Sequence, residues 1–310
     1  MAGRPQADRT RAEPQMADTT SAVGAPDRAQ LKSLLAGFSI EASSGDAAIE
    51  AAASHLAPGS DVYVNWLPGD NHHRSVAAAA ALRRNGLNPV PHVAARYLTG
   101  LTQLQDFLAR LAGEAGVQQV LAIAGDRDRP YGPFESSLQV LETGLLEKYR
   151  IARVGIAGYP EGNPRISTQA LATAMAAKLA RAREGGLTPY IVTQFCFEAQ
   201  PIIDWTRRLR AEGVAAPIHV GLAGPAGLAT LMKFALRCGV GNSMRALSLR
   251  GPAIARLLTE AGPERVIEDL ARAAASEPAL GFAGVHFFSF GGVVRTADWA
   301  RAFQQQAATT

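Results

Sequence analysis

Eight short apolar runs, each followed by a stretch with helical spacing, constrain this chain more than any other feature. The runs span residues 38–41, 62–66, 90–94, 120–124, 154–158, 190–195, 218–222 and 285–290. Between them lie Ala-, Leu- and Arg-rich stretches such as 77–84, 101–112, 168–184, 202–211 and 227–238. Strands that are apolar on both faces and alternate with helices build a parallel sheet. Eight such units predict a closed (β/α)8 barrel of the TIM type, with a doubly wound open sheet as the alternative. The long connection from the seventh to the eighth run carries two more predicted helices, at 254–259 and 263–275. The predicted organisation is one α/β barrel domain over residues 29–305, with no regulatory module after it. A disordered tail over 1–28 precedes it, where Arg, Asp, Pro, Thr and Ala recur without periodicity.

Composition narrows the class of function. A hydrophobic share of 47% is enough for a sizeable core. The net charge of +4 comes from arginines spread along helical segments, as at Arg83-Arg84 and Arg207-Arg208, which read as solvated helix faces. No basic stripe or nucleic-acid module is present, so nucleic acid is not expected as a partner, whereas an anionic substrate or cofactor suits the charge. Cys196 and Cys238 follow no metal spacing and are expected as free thiols in a reducing cytoplasm. No run has membrane-spanning length and no signal-peptide core opens the chain, so a cytoplasmic protein without a membrane partner is expected. Self-association into a homo-oligomer stays open.

Chemistry in such a barrel collects at the C-terminal ends of the strands. The polar residues expected there are Glu41, Asn65, His92, Asp126, Tyr159 with Glu161, Gln194 and Ser289. A partly desolvated carboxyl at position 41 would have a raised pKa and suit general-acid work; a surface carboxylate capping the next helix is the alternative. Asp126 follows Gly125, which would let backbone approach a flat ligand closely; a loop or N-cap aspartate is the alternative. Gln194 lies in a strongly apolar run and needs partners, from a ligand edge or from a neighbouring strand. His92 reads equally as a satisfied core histidine or a ligand contact. His72 and His73 are expected as a solvated pair in a polar loop, and no metal site is predicted. The glycine-rich run from Gly221 to Gly227 has the wrong spacing for a dinucleotide loop and reads as a tight turn.

Several common chemistries find no residues. No His-x-His ends the first run, against a metal-dependent hydrolase. None of the four lysines, Lys32, Lys148, Lys178 and Lys233, ends a strand, against a Schiff-base aldolase. There is no Gly-x-Ser-x-Gly elbow and no Walker loop.

Taken in order, Ala124-Gly125-Asp126, Gly158-Tyr159-Pro160-Glu161-Gly162-Asn163-Pro164, Val192-Thr193-Gln194-Phe195 and His286-Phe287-Phe288 resemble the methylenetetrahydrofolate reductase family over about residues 38–295. The resemblance implies interconversion of 5,10-methylenetetrahydrofolate and 5-methyltetrahydrofolate with NADH or NADPH, usually through FAD, on a tetrahydrofolate-type substrate. It implies that Glu41 is the general acid that opens the folate ring. It implies that Asp126 stabilises a cationic iminium, and that Gln194, Asp126, Gly221 and Arg295 contact substrate. It places Asn65, His92, Gly125, Asp126, Ala157, Tyr159 and Asn163 along the flavin. The sequence departs from the family where Ala124 replaces an arginine, Asn163 a histidine, Thr230 a glutamine and Gly292 an arginine. These changes fall mostly on the diphosphate side, so direct hydride transfer without flavin is an alternative. A folate-dependent one-carbon transferase on the same barrel is another.

Overall fold

The computed structural model describes residues 28–67, 69–240 and 262–309. Eight parallel strands close into one barrel in chain order, β8 pairing with β1. They are β1 (Ser39–Ala42), β2 (Asp61–Val64), β3 (Asn88–Ala94), β4 (Gln119–Ile123), β5 (Arg153–Gly158), β6 (Thr188–Thr193), β7 (Ile218–Ala223) and β8 (Phe282–Phe288). All eight predicted runs are strands within a few residues, and the open-sheet alternative is excluded. The predicted helix at 254–259 and the tail over 1–28, apart from Arg28, lie outside the described residues.

The helices are α1 (Arg28–Leu35), α2 (Asp46–His55), α3 (His72–Arg84), α4 (Leu101–Ala115), α5 (Ser137–Glu142), α6 (Leu145–Lys148), α7 (Thr168–Glu184), α8 (Ala199–Ala211), α9 (Leu228–Cys238), α10 (Glu264–Ser276) and α11 (Val293–Thr309). The case of α4 shows why the sequence folds this way. Leu104, Phe107, Leu108 and Leu111 recur at helical spacing and are all fully buried. Each such side chain contributes about 1.5–3 kcal/mol of transfer free energy. Gly116, at φ 56°, ends the helix in the left-handed conformation that glycine adopts at least cost.

The barrel interior is unusually polar and aromatic. Tyr63 and Tyr190 are fully buried inside it with Val90 and Leu121. The Tyr63 hydroxyl donates to the Tyr190 oxygen at 3.1 Å, and Gln119 Nε2 donates to the same oxygen at 3.0 Å. Arg153 in turn holds Gln119 Oε1 at 2.9 Å. Gly155 makes room for this layer, because a Cβ there would lie 2.8 Å from both Leu121 and the Tyr190 ring. A polar interior of this kind lets the barrel carry ionisable groups beneath its mouth.

Candidate active site

Glu41 stands in β1 with its carboxylate inside the barrel, almost wholly buried. The backbone alternation of β1 turns Glu41 inward, and the closure of β8 onto β1 pairs Ser39 with His286. His286 Nε2 lies 3.5 Å from Glu41 Oε1, and His286 Nδ1 lies 2.9 Å from Ser39 Oγ. His92, from β3, places its Nε2 at 3.7 Å from the same carboxylate oxygen, too far for a hydrogen bond. Asn65, just past β2, also hydrogen-bonds the Glu41 side chain. From the β8 side, Ser289 Oγ donates to the Glu41 carbonyl at 2.5 Å.

The electrostatics of Glu41 run opposite to the sequence expectation. Burial alone would raise its pKa. The hydrogen bond from His286, the nearby charges of His92 and His286, and the Asn65 contact together outweigh burial and hold the carboxyl below its ordinary value. The expected raised pKa is therefore corrected, because the convergence of two histidines on this group arises only when β3 and β8 close around β1. The helix-capping alternative falls as well, since Gly45 occupies the N-cap of α2. Burial pushes the His92 imidazole down, partly offset by Glu41 and reinforced by His286.

Asp126 lies in the loop after β4 and is half exposed. It caps no helix, since the next one, α5, begins at Ser137. Tyr97 donates its hydroxyl to Asp126 Oδ1 at 2.5 Å, and Arg237 of α9 donates to Oδ2 at 2.5 Å. Burial would raise the Asp126 pKa, but these two donors lower it overall. Gly125 has a structural reason in this position. Its φ is 89°, and a Cβ would meet the Tyr97 ring at 3.0 Å.

The remaining predicted residues divide into those near this centre and those outside it. Gln194 follows β6 rather than lying within it, is half-buried, and accepts the Phe195 N–H at its own Oε1. Ala157 and Tyr159 stand at the end of β5, and burial, with the Cys238 thiol nearby, raises the Tyr159 pKa. Asn163 turns its Oδ1 to the Arg165 N–H. Gly221 has both peptide groups engaged within the barrel: its N–H donates to Thr193 Oγ1 and its carbonyl accepts from Cys196 N. Arg295 is exposed in the first turn of α11.

His72 and His73 begin α3 instead of lying in a loop. His72 is buried, with Nε2 2.8 Å from Asp106 Oδ2 and Nδ1 3.1 Å from Gln103 Nε2. The ring nitrogens and the Asp106 carboxylate lie within 4.8 Å of one another. Both His72 nitrogens already have partners, however, and Arg110 bonds His73 Nδ1. A guanidinium thus stands where a metal would need an open ligand.

Sequence reasoning missed Ser39, Tyr97, Arg237 and the role of His286. Only His286 left a signal, as a histidine inside the apolar run of β8. Arg237 looks like any other helical arginine until α9 is folded across the mouth.

The closed α/β barrel thus carries a histidine-flanked buried carboxylate in β1 and a second carboxylate after β4, at the strand C-termini where barrels of this class gather their functional groups. The family model of methylenetetrahydrofolate reductase matches residues 52–241, more than half of the chain. The chain belongs to the methylenetetrahydrofolate reductase family. It is similar to methylenetetrahydrofolate reductase 2 of Saccharomyces cerevisiae, 26% identical over 171 residues, which are 51% of this chain and 28% of the yeast protein. The match thus spans under a third of that relative. Among solved structures, Yersinia pestis DHPS with pterine-sulfa conjugate Compound 16 aligns at a TM-score of 0.47 and 11% identity, over 90% of this chain and 96% of that one. That likeness is too loose to carry an argument.

Proposed function

We propose that this barrel interconverts 5,10-methylenetetrahydrofolate and 5-methyltetrahydrofolate, with NADH or NADPH as the hydride source. The observation that carries the reading is Glu41: a buried carboxylate inside the barrel, hydrogen-bonded to His286 and Asn65, at the position that matches the family's general acid. In the reductive direction Glu41 delivers a proton to the departing ring nitrogen as its bond to the methylene carbon breaks. The remaining nitrogen carries the methylene as an iminium, which accepts hydride. Asp126, kept ionised by Tyr97 and Arg237, places negative charge near that cation. Tyr159 and Gln194 border the same mouth and would orient the substrate.

FAD, usual in the family, meets mixed residues here. On the ring side, Asn65 Oδ1 and His92 Nε2 are buried without hydrogen-bond partners, and a flat heterocycle would satisfy them. On the diphosphate side the matching residues among those described fit poorly. Ala124 carries no charge, the Asn163 side chain is turned to its own loop, and Arg165 is paired with Asp128. Lys178 is largely buried in α7, where burial lowers its pKa. Ala124, Asn163 and Arg165 therefore offer the FAD diphosphate no free charge at the positions where the family would contact it, and direct transfer from the dihydronicotinamide is the second reading.

The test is a visible spectrum of the purified protein with and without added FAD, beside an assay of NADH and NADPH oxidation driven by methylenetetrahydrofolate. A colourless protein that oxidises the nucleotide only with the folate present supports the reading with direct transfer. A flavin band bleached by the nucleotide and restored by the folate supports it through FAD. Absence of nucleotide oxidation, with one-carbon transfer instead, favours a transferase and overturns it.

A further inference from the structure

Glu41 cannot be considered apart from what surrounds it. An acid that protonates substrate must itself hold a proton, yet the groups around Glu41 stabilise its ionised form. The missing proton needs a resting place within one transfer of the carboxylate. Two histidines are near enough, and the geometry separates them. His92 Nε2 has no hydrogen-bond partner, stands 3.7 Å from Glu41, and is pushed by burial toward the neutral form. His286 is fully buried and sets both ring nitrogens against oxygens, Nδ1 facing Ser39 Oγ and Nε2 facing Glu41 Oε1. The ring meets both contacts when charged, donating from both nitrogens, and when neutral, donating from one and accepting at the other, so it can give up or take a proton without moving.

We propose that His286 is the positioning residue that stores the proton for Glu41 and reloads it, with Ser39 fixing the orientation of its ring. This inference rests on the folate-reductase reading of the site. In the reductive direction the proton passes from His286 Nε2 to Glu41 Oε1 and from the carboxyl to the departing nitrogen. The carbon–nitrogen bond breaks with its electron pair on that nitrogen, and hydride from the dihydronicotinamide completes the methyl group. His286, left neutral, regains a proton from solvent before the next turnover. In the oxidative direction the same pair takes the proton up.

The groups facing His286 come from every side of the interior. Glu41 and Ser39 approach from β1, and the Tyr63 ring from β2 lies 4.4 Å away, centroid to centroid. His92 from β3 and His219 from β7 each interact with it electrostatically. The Phe288 ring, on the same strand, is 5.1 Å away. On the Glu41 side, the Cys238 thiol of α9 is also within electrostatic reach. Only Glu41 and Ser39 of these form hydrogen bonds to the His286 ring.

The experiment is the pH profile of reductive kcat and KM for the wild type, His286→Gln, Ser39→Ala and Glu41→Gln. It is run with whichever of NADH and NADPH turns over. Alongside it, the Glu41 carboxyl of the ligand-free protein is titrated by carbon-13 NMR. With His286→Gln, kcat at pH 7.5 is expected to fall about tenfold to a hundredfold while the folate KM stays within about threefold. The alkaline limb should move toward acid by about one pH unit or more, because a lone carboxyl gives up its proton at lower pH than a carboxylate–imidazolium pair. Ser39→Ala should shift the same limb in the same direction by less. The Glu41 NMR midpoint should rise in His286→Gln, since burial then dominates. An unmoved limb, a uniform loss at every pH, or an unmoved Glu41 midpoint overturns the proposal. Full activity in Glu41→Gln overturns instead the reading of Glu41 as acid.

Discussion

Arg237, in the last turn of α9, reaches over the barrel mouth to Asp126 after β4 and binds its Oδ2 at 2.5 Å. The same helix stacks Phe234 on Phe290 with ring centroids 4.1 Å apart. At its end, Gly239 packs against Pro164 of the loop after β5. Loops from three strands are thus gathered under one helix, and the carboxylate expected to meet the substrate is tied to it.

The Arg237–Asp126 pair tests how far this strap is electrostatic. Both side chains are about half exposed, so solvent screens the pair and its net worth to stability is small. In Arg237→Met, urea unfolding at pH 7 should change by less than about 1 kcal/mol. The Asp126 pKa, depressed by Tyr97 and Arg237, should rise toward its ordinary value, as carbon-13 NMR of the carboxyl would read. A depressed carboxyl contributes stability above its unfolded pKa and loses it as pH falls through the folded value. The variant should therefore lose less stability than the wild type below about pH 4. Asp126→Asn should cut reductive kcat on the order of a hundredfold, as removing a fixed charge beside a developing one does. A loss of several kcal/mol in Arg237→Met would show that the contact is structural, contrary to this account.

Gly125 offers a separate handle on Asp126. Its positive φ disfavours any side chain, and a Cβ would press on the Tyr97 ring that holds Asp126. Gly125→Ala is expected to cost about 1–3 kcal/mol of stability by chemical denaturation. It should lower turnover by a larger factor than that loss implies, because both Tyr97 and Asp126 must shift. Wild-type kcat in a folded Gly125→Ala protein would show that the loop tolerates the displacement and that Asp126 needs no fixed position.

The strand pattern was legible because burial on both faces leaves near-continuous apolar runs, and the spacing of eight of them admits few folds. Glu41, Asp126 and Asn65 were legible as polar residues where such runs end. What surrounds them was not. His286 reaches Glu41 only because β8 closes on β1, a pairing of residues 245 positions apart. The Glu41 pKa therefore came out with the opposite sign to the one expected from desolvation alone. The surroundings of Gly221 were hidden for a related reason: in sequence it opens a glycine-rich run, while in the barrel its peptide groups bond Thr193 and Cys196. His72 opens a helix although Gly69, Asp70 and Asn71 just before it are residues typical of loops. Asn71 is instead the N-cap of α3, accepting the Arg74 N–H at 3.0 Å.

His219 supplies the last prediction, a stability that depends on pH below neutrality. It sits at the start of β7 among Tyr190, His286 and Arg153, with its Nδ1 buried and unpartnered. Burial first, then His286 and Arg153, push its pKa down to about 4. The unfolded chain, with an ordinary imidazole near 6.5, binds this proton more readily between those values. Stability must then rise with pH across that window and fall as the protein is acidified through it. From pH 7 to pH 5 the shift corresponds to about 2 kcal/mol lost through this residue. Urea unfolding of His219→Leu at the two pH values should show a loss smaller by about that amount. Glu41 does not confound the comparison, since its depressed carboxyl loses stability only at lower pH. An equal loss in wild type and His219→Leu would mean that the ring finds water or another donor inside the barrel and titrates normally.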